Sequence, residues 1–384
     1  MCKVDFLYFD AGGGHRAAAT ALKTVVEQQR RRWQVRMVHV QELLRSVDIM
    51  HRLTGHDTES IYNLVLRKGW TLGSPYLVPL LHAGIEWTSG PQVRLLAEFW
   101  KKEPPDMVVS LIPNLNRVLY RGLRSSASNA PYVTIITDIA DYPPHTWIER
   151  QDQYIVCGSD KAVQQARDLG HPAEHVFRVS GMILRPHFYD VAPVDRAAER
   201  TRLGLQPNLL TGIVLFGGAG SDVMLKIART LQDAKRPLQL IMMCGHNSDL
   251  ARKLREMPSK IPMHIEGFTT EVPYFMQLSD FLIGKPGPGS ISEAMAMKLP
   301  VIVERNAYTL PQERYNTEWV REHRVGIVLR SFRRINEAVE ELLEPARLDE
   351  YRQNAAAMTN RAVFEIPDLL EKILDATPAR PPQH

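Results

Sequence analysis

Phe281-Leu282-Ile283-Gly284-Lys285-Pro286-Gly287-Pro288-Gly289-Ser290-Ile291-Ser292-Glu293 decides how this chain folds. A short apolar run of strand character passes through a glycine-proline loop into a helix-like run, Ile291 to Lys298. Two glycines at that junction permit φ > 0 and leave backbone N–H groups bare. A helix start there adds roughly half a positive charge, so the loop is shaped for a phosphate. It matches neither standard glycine fingerprint, having no Gly-Lys-Ser/Thr ending and no GxGxxG. Ser290-Ile291-Ser292-Glu293 also spells a capping box, in which Glu293 bonds back to the backbone at Ser290. The same residues therefore fit an ordinary helix start.

Outward from this stretch, strand-like and helix-like runs alternate. The second half predicts strands at Gly212–Phe216, Leu238–Cys244, Met263–Glu266, Asp280–Ile283 and Val301–Glu304, with helices such as Asp222–Ala234, Asp249–Glu256 and Ser290–Lys298. The first half predicts strands at Val4–Phe9, Val35–Val40, Met107–Leu111, Tyr132–Thr137 and Gln153–Cys157, with a helix over Ala17–Gln29. Short, nearly continuous apolar strands between helices argue for parallel sheets covered on both faces, an α/β class. A hinge is expected from Arg185-Pro186 to about Asp195. The domains are then 1–190 and 196–349, with a helix over about 350–376 returning to the first and a frayed tail at 377–384. Ligands of such sheets bind beyond the carboxyl ends of the strands. Three glycine-rich loops lie there: Gly12-Gly13-Gly14-His15, Gly217-Gly218-Ala219-Gly220-Ser221 and the Lys285–Glu293 stretch.

Composition sets the outer bounds. At 384 residues with 44% hydrophobic and 23% charged residues, the chain supports two soluble domains. Its N-terminus enters strand-like sequence directly, which reads as no signal peptide. The apolar runs fall far short of the ~20 residues of a membrane span. Cys2, Cys157 and Cys244 lie far apart without metal spacing and fit a reducing cytoplasm. The net charge is +4, but residues 16–124 carry 16 Lys/Arg against 9 Asp/Glu, a local excess of +7. Such an excess attracts anionic membranes or nucleic acids, and no nucleic-acid motif accompanies it. A basic solvated surface is the plainer reading.

His15 falls in a helix first turn, where the macrodipole disfavours imidazolium and keeps the ring neutral. A neutral histidine at a sheet's carboxyl edge can take a hydroxyl proton; it can equally satisfy a backbone group. Asp138 closes the run Val133–Thr137 and is a second base, a partner orienting His15, or a turn cap. His145-Thr146-Trp147 follows two prolines and shapes either an acceptor pocket or a rigid loop. Gln312, Glu313 and Asn316 offer donors and acceptors suited to sugar hydroxyls, or merely a polar helix start. The chain has no D-x-D and no His/Asp/Glu metal spacing, so no metal bridge to a diphosphate is expected.

Together these features suggest a nucleotide-sugar transferase, and the chain resembles glycosyltransferase family 28, in particular its diacylglycerol glycosyltransferases. The resemblance runs from about Phe9 to Leu329. It rests on Gly12-Gly13-Gly14-His15-Arg16, Thr137-Asp138, His145-Thr146-Trp147, Gly181 with Arg185-Pro186, Gly217-Gly218, Cys244-Gly245, Gly267-Phe268, Gly287-Pro288-Gly289-Ser290 with Glu293-Ala294, and Gln312-Glu313 with Asn316. It implies a GT-B fold, two Rossmann-like doubly wound parallel-sheet domains facing a cleft, and a metal-independent inverting transfer from a UDP-sugar with no cofactor. By family position Gly289 and Ser290 hold the diphosphate, Glu293 accepts from the ribose, Gln312 and Glu313 contact the sugar, and the backbone near Phe268 reads uracil. Gly14, Gly217, Gly218, Gly287 and Asn316 join them at the donor. His15 or Asp138 is the base, and His145 and Trp147 border the acceptor. The chain departs from the family at Ala18, at Pro311 and at His246, the last leaving one phosphate or base contact open.

Residues 67–102 carry Trp70, Tyr76, Leu77, Leu80, Leu81, Trp87, Phe99 and Trp100 between Arg67-Lys68 and Lys101-Lys102. Such a mixture suits bilayer headgroups, though it equally describes core. A lipid acceptor, as in the family, implies docking there and a cytoplasmic protein held at the inner face of the cell membrane. The readings that compete are transfer to a polyprenyl-linked or other glycolipid, UDP-sugar 2-epimerisation, and a non-catalytic nucleotide-sugar or lipid-binding protein. The 2-epimerase would need paired carboxylates in the first half, and none is identified.

Overall fold

The computed structural model describes residues 1–10, 13–47, 89–142 and 145–377. The chain divides into two units, Met1–Pro186 with the residues from Asn360 onward, and His187–Thr359.

In the first unit six parallel strands stand in the order β2-β1-β3-β4-β5-β6. They are β1 (Cys2–Tyr8), β2 (Trp33–His39), β3 (Met107–Ser110), β4 (Tyr132–Ile135), β5 (Tyr154–Cys157) and β6 (Val176–Arg178). Every residue of β3 and β4 is buried, as both-face helix cover requires. The helix Gly14–Gln28 lays Ala18, Ala19, Ala21, Leu22, Val25 and Val26 inward at helical spacing. The helix Ser89–Lys102 does the same with Gln92, Leu96 and Trp100. Gly122 of the helix Asn116–Ser125 admits it closely, since a Cβ there would stand 2.5 Å from Leu96 Cβ.

The second unit repeats the architecture in the order β12-β11-β10-β7-β8-β9. Its strands are β7 (Thr211–Leu215), β8 (Gln239–Met243), β9 (Met263–Glu266), β10 (Phe281–Gly284), β11 (Val301–Glu304) and β12 (Gly326–Leu329), all parallel. From β7 the chain builds outward through β8 and β9, then returns to place β10 on the other side of β7. In the first unit the same reversal falls between β1 and β3. At these two points the carboxyl edge of each sheet opens a crevice.

Three expectations change. β6 and β12 complete the sheets and were not anticipated. β6 is only three residues long, and β12 opens on Gly326, whose added Cβ would stand 2.0 Å from the Val301 carbonyl oxygen. The single helix over about 350–376 is two, Pro345–Ala357 in the second unit and Ala362–Ala376, which packs on the helix Gly14–Gln28 in the first. Trp100 belongs to the core: it is fully buried and its indole Nε1 donates to Asp5 Oδ2 at 2.9 Å. Phe99, beside it, is half-buried and packs on the same core, while Trp70, Tyr76 and Trp87 lie outside the described residues, as does the tail from residue 378. Among the described residues no helix is long and apolar enough to cross a membrane.

Candidate active site

In the second unit, the loops after β7 and β10 flank the point where strand order reverses. The β10 loop enters the helix Pro288–Ala296, whose N-cap is Gly287 with Pro288 at the first helical position. Proline's fixed φ starts the helix there, one turn before the expected capping box. Ser290 therefore lies inside the first turn and is not the N-cap. Gly287 is extended at φ −72°, and neither it nor Gly289 takes a positive φ. Gly289 is bare, with nothing within 4 Å of a Cβ built on it, whereas a Cβ on Gly287 would meet Lys285 Cε at 3.4 Å. Pro288 has no N–H, and that of Ile291 is taken by the Gly287 carbonyl at 3.1 Å. The N–H groups of Gly289 and Ser290 are thus the ones a helix start offers to an anion. Glu293 is half-buried and shares their helix face, at i+4 and i+3.

The segment after β11 braces this loop. Asn316 is fully buried and its Nδ2 donates to the Pro286 carbonyl at 2.8 Å, while its Oδ1 is buried without a partner. It clamps the loop from behind, which its polar character alone did not reveal. Glu313 is also buried, with Oε1 3.4 Å from Lys285 Nζ. Lys285 puts an ammonium at the loop and was given no role from the sequence, although only Pro286 separates it from Gly287. Gln312 is half-buried beside Glu313.

On the other flank, Gly217 and Gly220 have φ of 75° and 60°, and Gly218 is exposed. The Gly218 carbonyl accepts from His246 N–H at 2.8 Å, and a Cβ on Gly245 would stand 2.1 Å from that same oxygen. Glycine at 245 is thus what lets the β7 and β8 loops touch. His246 stacks on Phe268, ring centroids 3.9 Å apart and planes 18° off parallel. Phe268 is 59% exposed, so the pair presents an open aromatic platform beside the glycine loops.

In the first unit His15 sits two residues after Gly13, which takes φ 76° as the helix N-cap. Gly12 lies outside the described residues, and Gly14 is exposed with open space around it. The His15 imidazole is held at the β1–β3 reversal by a backbone hydrogen bond to Leu111, after β3, while Nδ1 lies 3.2 Å from Thr137 Oγ1, after β4. Its pKa is pushed down to about 4, chiefly by burial. The ring is neutral as anticipated from the helix dipole, but the larger cause is desolvation. In the neutral tautomer whose N–H faces the Leu111 backbone, Nδ1 accepts from the Thr137 hydroxyl.

Next to Thr137, Asp138 holds the neighbouring indole. Its Oδ2 accepts from Trp147 Nε1 at 2.9 Å, and the Trp147 ring lies 5.7 Å from that of His15. Trp147 is fully buried, so it forms a post between the two polar groups rather than an open pocket wall. The loop carrying it is built on Asp141, which the sequence reading missed. The buried Asp141 carboxylate accepts from the backbone N–H of Thr146, Trp147 and Ile148 and from the Thr146 hydroxyl, and His145 Nδ1 lies 3.1 Å away. His145 itself is half-exposed, at φ 57°.

Residues 213–373 match the glycosyltransferase family 28 C-terminal domain. Over 389 residues the chain is 31% identical to monogalactosyldiacylglycerol synthase 1, chloroplastic, of Arabidopsis thaliana, covering 95% of this chain and 69% of that one. Among solved structures, MurG of Acinetobacter baumannii superposes with a TM-score of 0.64 at 12% identity, covering 97% of this chain and 100% of that one. Alr3699/HepE of Anabaena, crystallised with UDP-glucose, superposes with a TM-score of 0.56 at 15% identity, covering 98% and 100%. These likenesses show the fold, GT-B, with two parallel α/β units.

Proposed function

The chain belongs to glycosyltransferase family 28 together with the monogalactosyldiacylglycerol synthases, and from that premise we propose that it moves a hexose from a UDP-sugar to the hydroxyl of a membrane lipid, diacylglycerol. One observation carries the donor side: two bare glycine loops flank the strand-order reversal of the second unit. A helix start and the Lys285 ammonium stand on one flank, and the His246–Phe268 platform on the other. In this reading the N–H groups of Gly289 and Ser290 and the Lys285 ammonium take the diphosphate, Glu293 the ribose hydroxyls, and the aromatic platform the uracil. Glu313 and Gln312 reach the hexose. Those fixed charges supply the stabilisation of the leaving group that a metal would otherwise supply. The match to the plant synthases supports the lipid acceptor.

The reaction forms a bond from the acceptor oxygen to the anomeric carbon as the bond to the diphosphate oxygen breaks. UDP leaves with the electron pair, and direct attack inverts the anomeric centre. The hydroxyl proton passes to uncharged His15 Nδ1 through the Thr137 hydroxyl, whose own proton moves to the ring. Asp138, fixed by Trp147, supplies the negative charge that balances the new imidazolium. This ordering of His15 and Asp138 rests on the Thr137 contact. In the same reading the protein works at the inner face of the cell membrane, docked through the part of residues 67–102 that carries Trp70 and Trp87. Wild type and Trp70→Ala/Trp87→Ala should differ in liposome flotation, and equal flotation removes that segment from docking.

The function is tested by incubating the protein with a panel of UDP-sugars and diacylglycerol vesicles, with and without EDTA, and analysing the lipids by mass spectrometry. Hexosyl-diacylglycerol in both arms supports the proposal. UDP-sugar consumed without any glycolipid rejects it.

A further inference from the structure

The second unit carries a depression of about 560 Å³ at the amino edge of its sheet, beside the residues that lead into β7, β10 and β11. Arg196, Lys298 and Arg352 line it, together with Met276, Met297 and Leu299, and no carboxylate does. The buried Asp280 lies behind them. Arg196 and Arg352 reach its Oδ1 at 2.9 and 2.7 Å, and Arg200 its Oδ2 at 2.8 Å. None of the three pairs with another carboxylate among the described residues. The neighbouring Asp195 is spent on the N–H groups of Ala197 and Ala198. Three guanidinium groups share one carboxylate, which leaves two positive charges unmatched. The crowding holds Arg200 below its ordinary pKa, through burial first and then through Arg196 and Arg352.

Lys298 adds a second, independent observation. It follows the helix Pro288–Ala296 at φ 59°, the left-handed position where helices ordinarily carry glycine. A lysine there is strained relative to glycine. It forms no ion pair among the described residues.

We propose that this depression is an anion site for a phosphate-bearing ligand, whose phosphate meets Arg196, Arg352 and Lys298 while Met276, Met297 and Leu299 receive an apolar portion. Guanidinium groups suit bidentate phosphate contacts, and one added anion offsets the surplus charge around Asp280. The site stands at the opposite end of the helix that begins at the Gly289 and Ser290 N–H groups. That helix spans nine residues, about 13 Å at 1.5 Å per residue. The pocket is therefore separate from the donor loops.

Calorimetry of the full chain with inorganic pyrophosphate and with dihexanoyl phosphatidic acid tests this, each titrated at saturating UDP. Binding of either probe, weakened about tenfold or more by Arg196→Gln/Arg352→Gln, is the expected result. Tighter binding of the lipid supports the apolar half of the site, and equal affinity for the two probes removes Met276, Met297 and Leu299 from it. Lys298→Gly separates binding from folding: it should weaken the ligand several-fold while raising Tm by about 2–4 °C, because the strain is relieved. No binding to wild type, or affinities unchanged in both variants, overturns the proposal.

Discussion

His15 and Thr137, 122 residues apart, meet at the carboxyl edge of the first sheet with Nδ1 and Oγ1 separated by 3.2 Å. Asp138, open in the sequence to the roles of base, partner of His15 or turn cap, accepts from Trp147 at 2.9 Å. This makes Thr137 the residue through which the histidine is oriented and read. Thr137→Val should lower kcat by about tenfold to a hundredfold, the scale of a misplaced catalytic group, and Thr137→Ser should restore it. UDP affinity should hold in both. Steady-state kinetics beside calorimetry separates the two effects, and a Val variant with full turnover leaves Thr137 out of the proton path.

His15→Ala should cost about 10²–10⁴ in turnover, the usual range for a general base, while UDP still binds. Asp138→Asn should lower turnover in the same direction with Trp147 still buried, a point intrinsic fluorescence can check. If His15→Ala turns over normally and Asp138→Asn does not, the carboxylate is the base.

The His15 pKa of about 4 lies below its ordinary 6.5. Between those values the unfolded chain binds more protons than the fold, so stability rises with pH across that window. The penalty is absent above about pH 6.5 and grows as pH falls toward 4. For activity, the acid limb of kcat/KM should appear nearer pH 4 than pH 6.5. A limb centred at 6.5 would show that the ring titrates as a solvated histidine.

Asn316→Ala should destabilise the second unit by about 1–3 kcal/mol, because the buried Pro286 carbonyl loses its donor. UDP affinity should fall as well, since the loop that presents Gly289 and Ser290 is no longer braced. Denaturant titration and calorimetry on one preparation read both effects. A variant with reduced stability and unchanged UDP affinity would limit Asn316 to the core.

Glu293→Ala should weaken UDP about tenfold, which is about 1.4 kcal/mol, and leave the thermal midpoint nearly in place. Equal affinity by calorimetry would limit Glu293 to a structural role in its helix.

What could be read from the chain alone was whatever its local pattern carries. The ten anticipated strands and the glycine loops at their ends follow from short apolar runs and turn residues, so both sheets and their carboxyl edges were legible. The helix start at Gly287 was legible too, from Pro288, but the capping-box spelling of Ser290 and Glu293 pointed one turn too far. Thr137 against His15, and Asn316 behind Pro286, were not. Those contacts are set by which strands become neighbours, and a threonine or asparagine looks the same in sequence whether it faces solvent or a buried partner. Asp141 was missed for a similar reason. Its four partner residues, His145 to Ile148, lie within seven positions, yet only the folded loop turns their five groups toward one carboxylate.

Inverting transfer from a UDP-hexose to a lipid hydroxyl leaves its signature in the product's anomeric linkage. Proton NMR of the products, from protein incubated with a UDP-α-hexose and diacylglycerol vesicles, tests it most directly. The expected result is UDP released in step with a hexosyl-diacylglycerol whose anomeric proton shows the large coupling of a β-linkage. An α-linked product contradicts inversion, and free hexose or a 2-epimer in place of glycolipid contradicts the transfer itself.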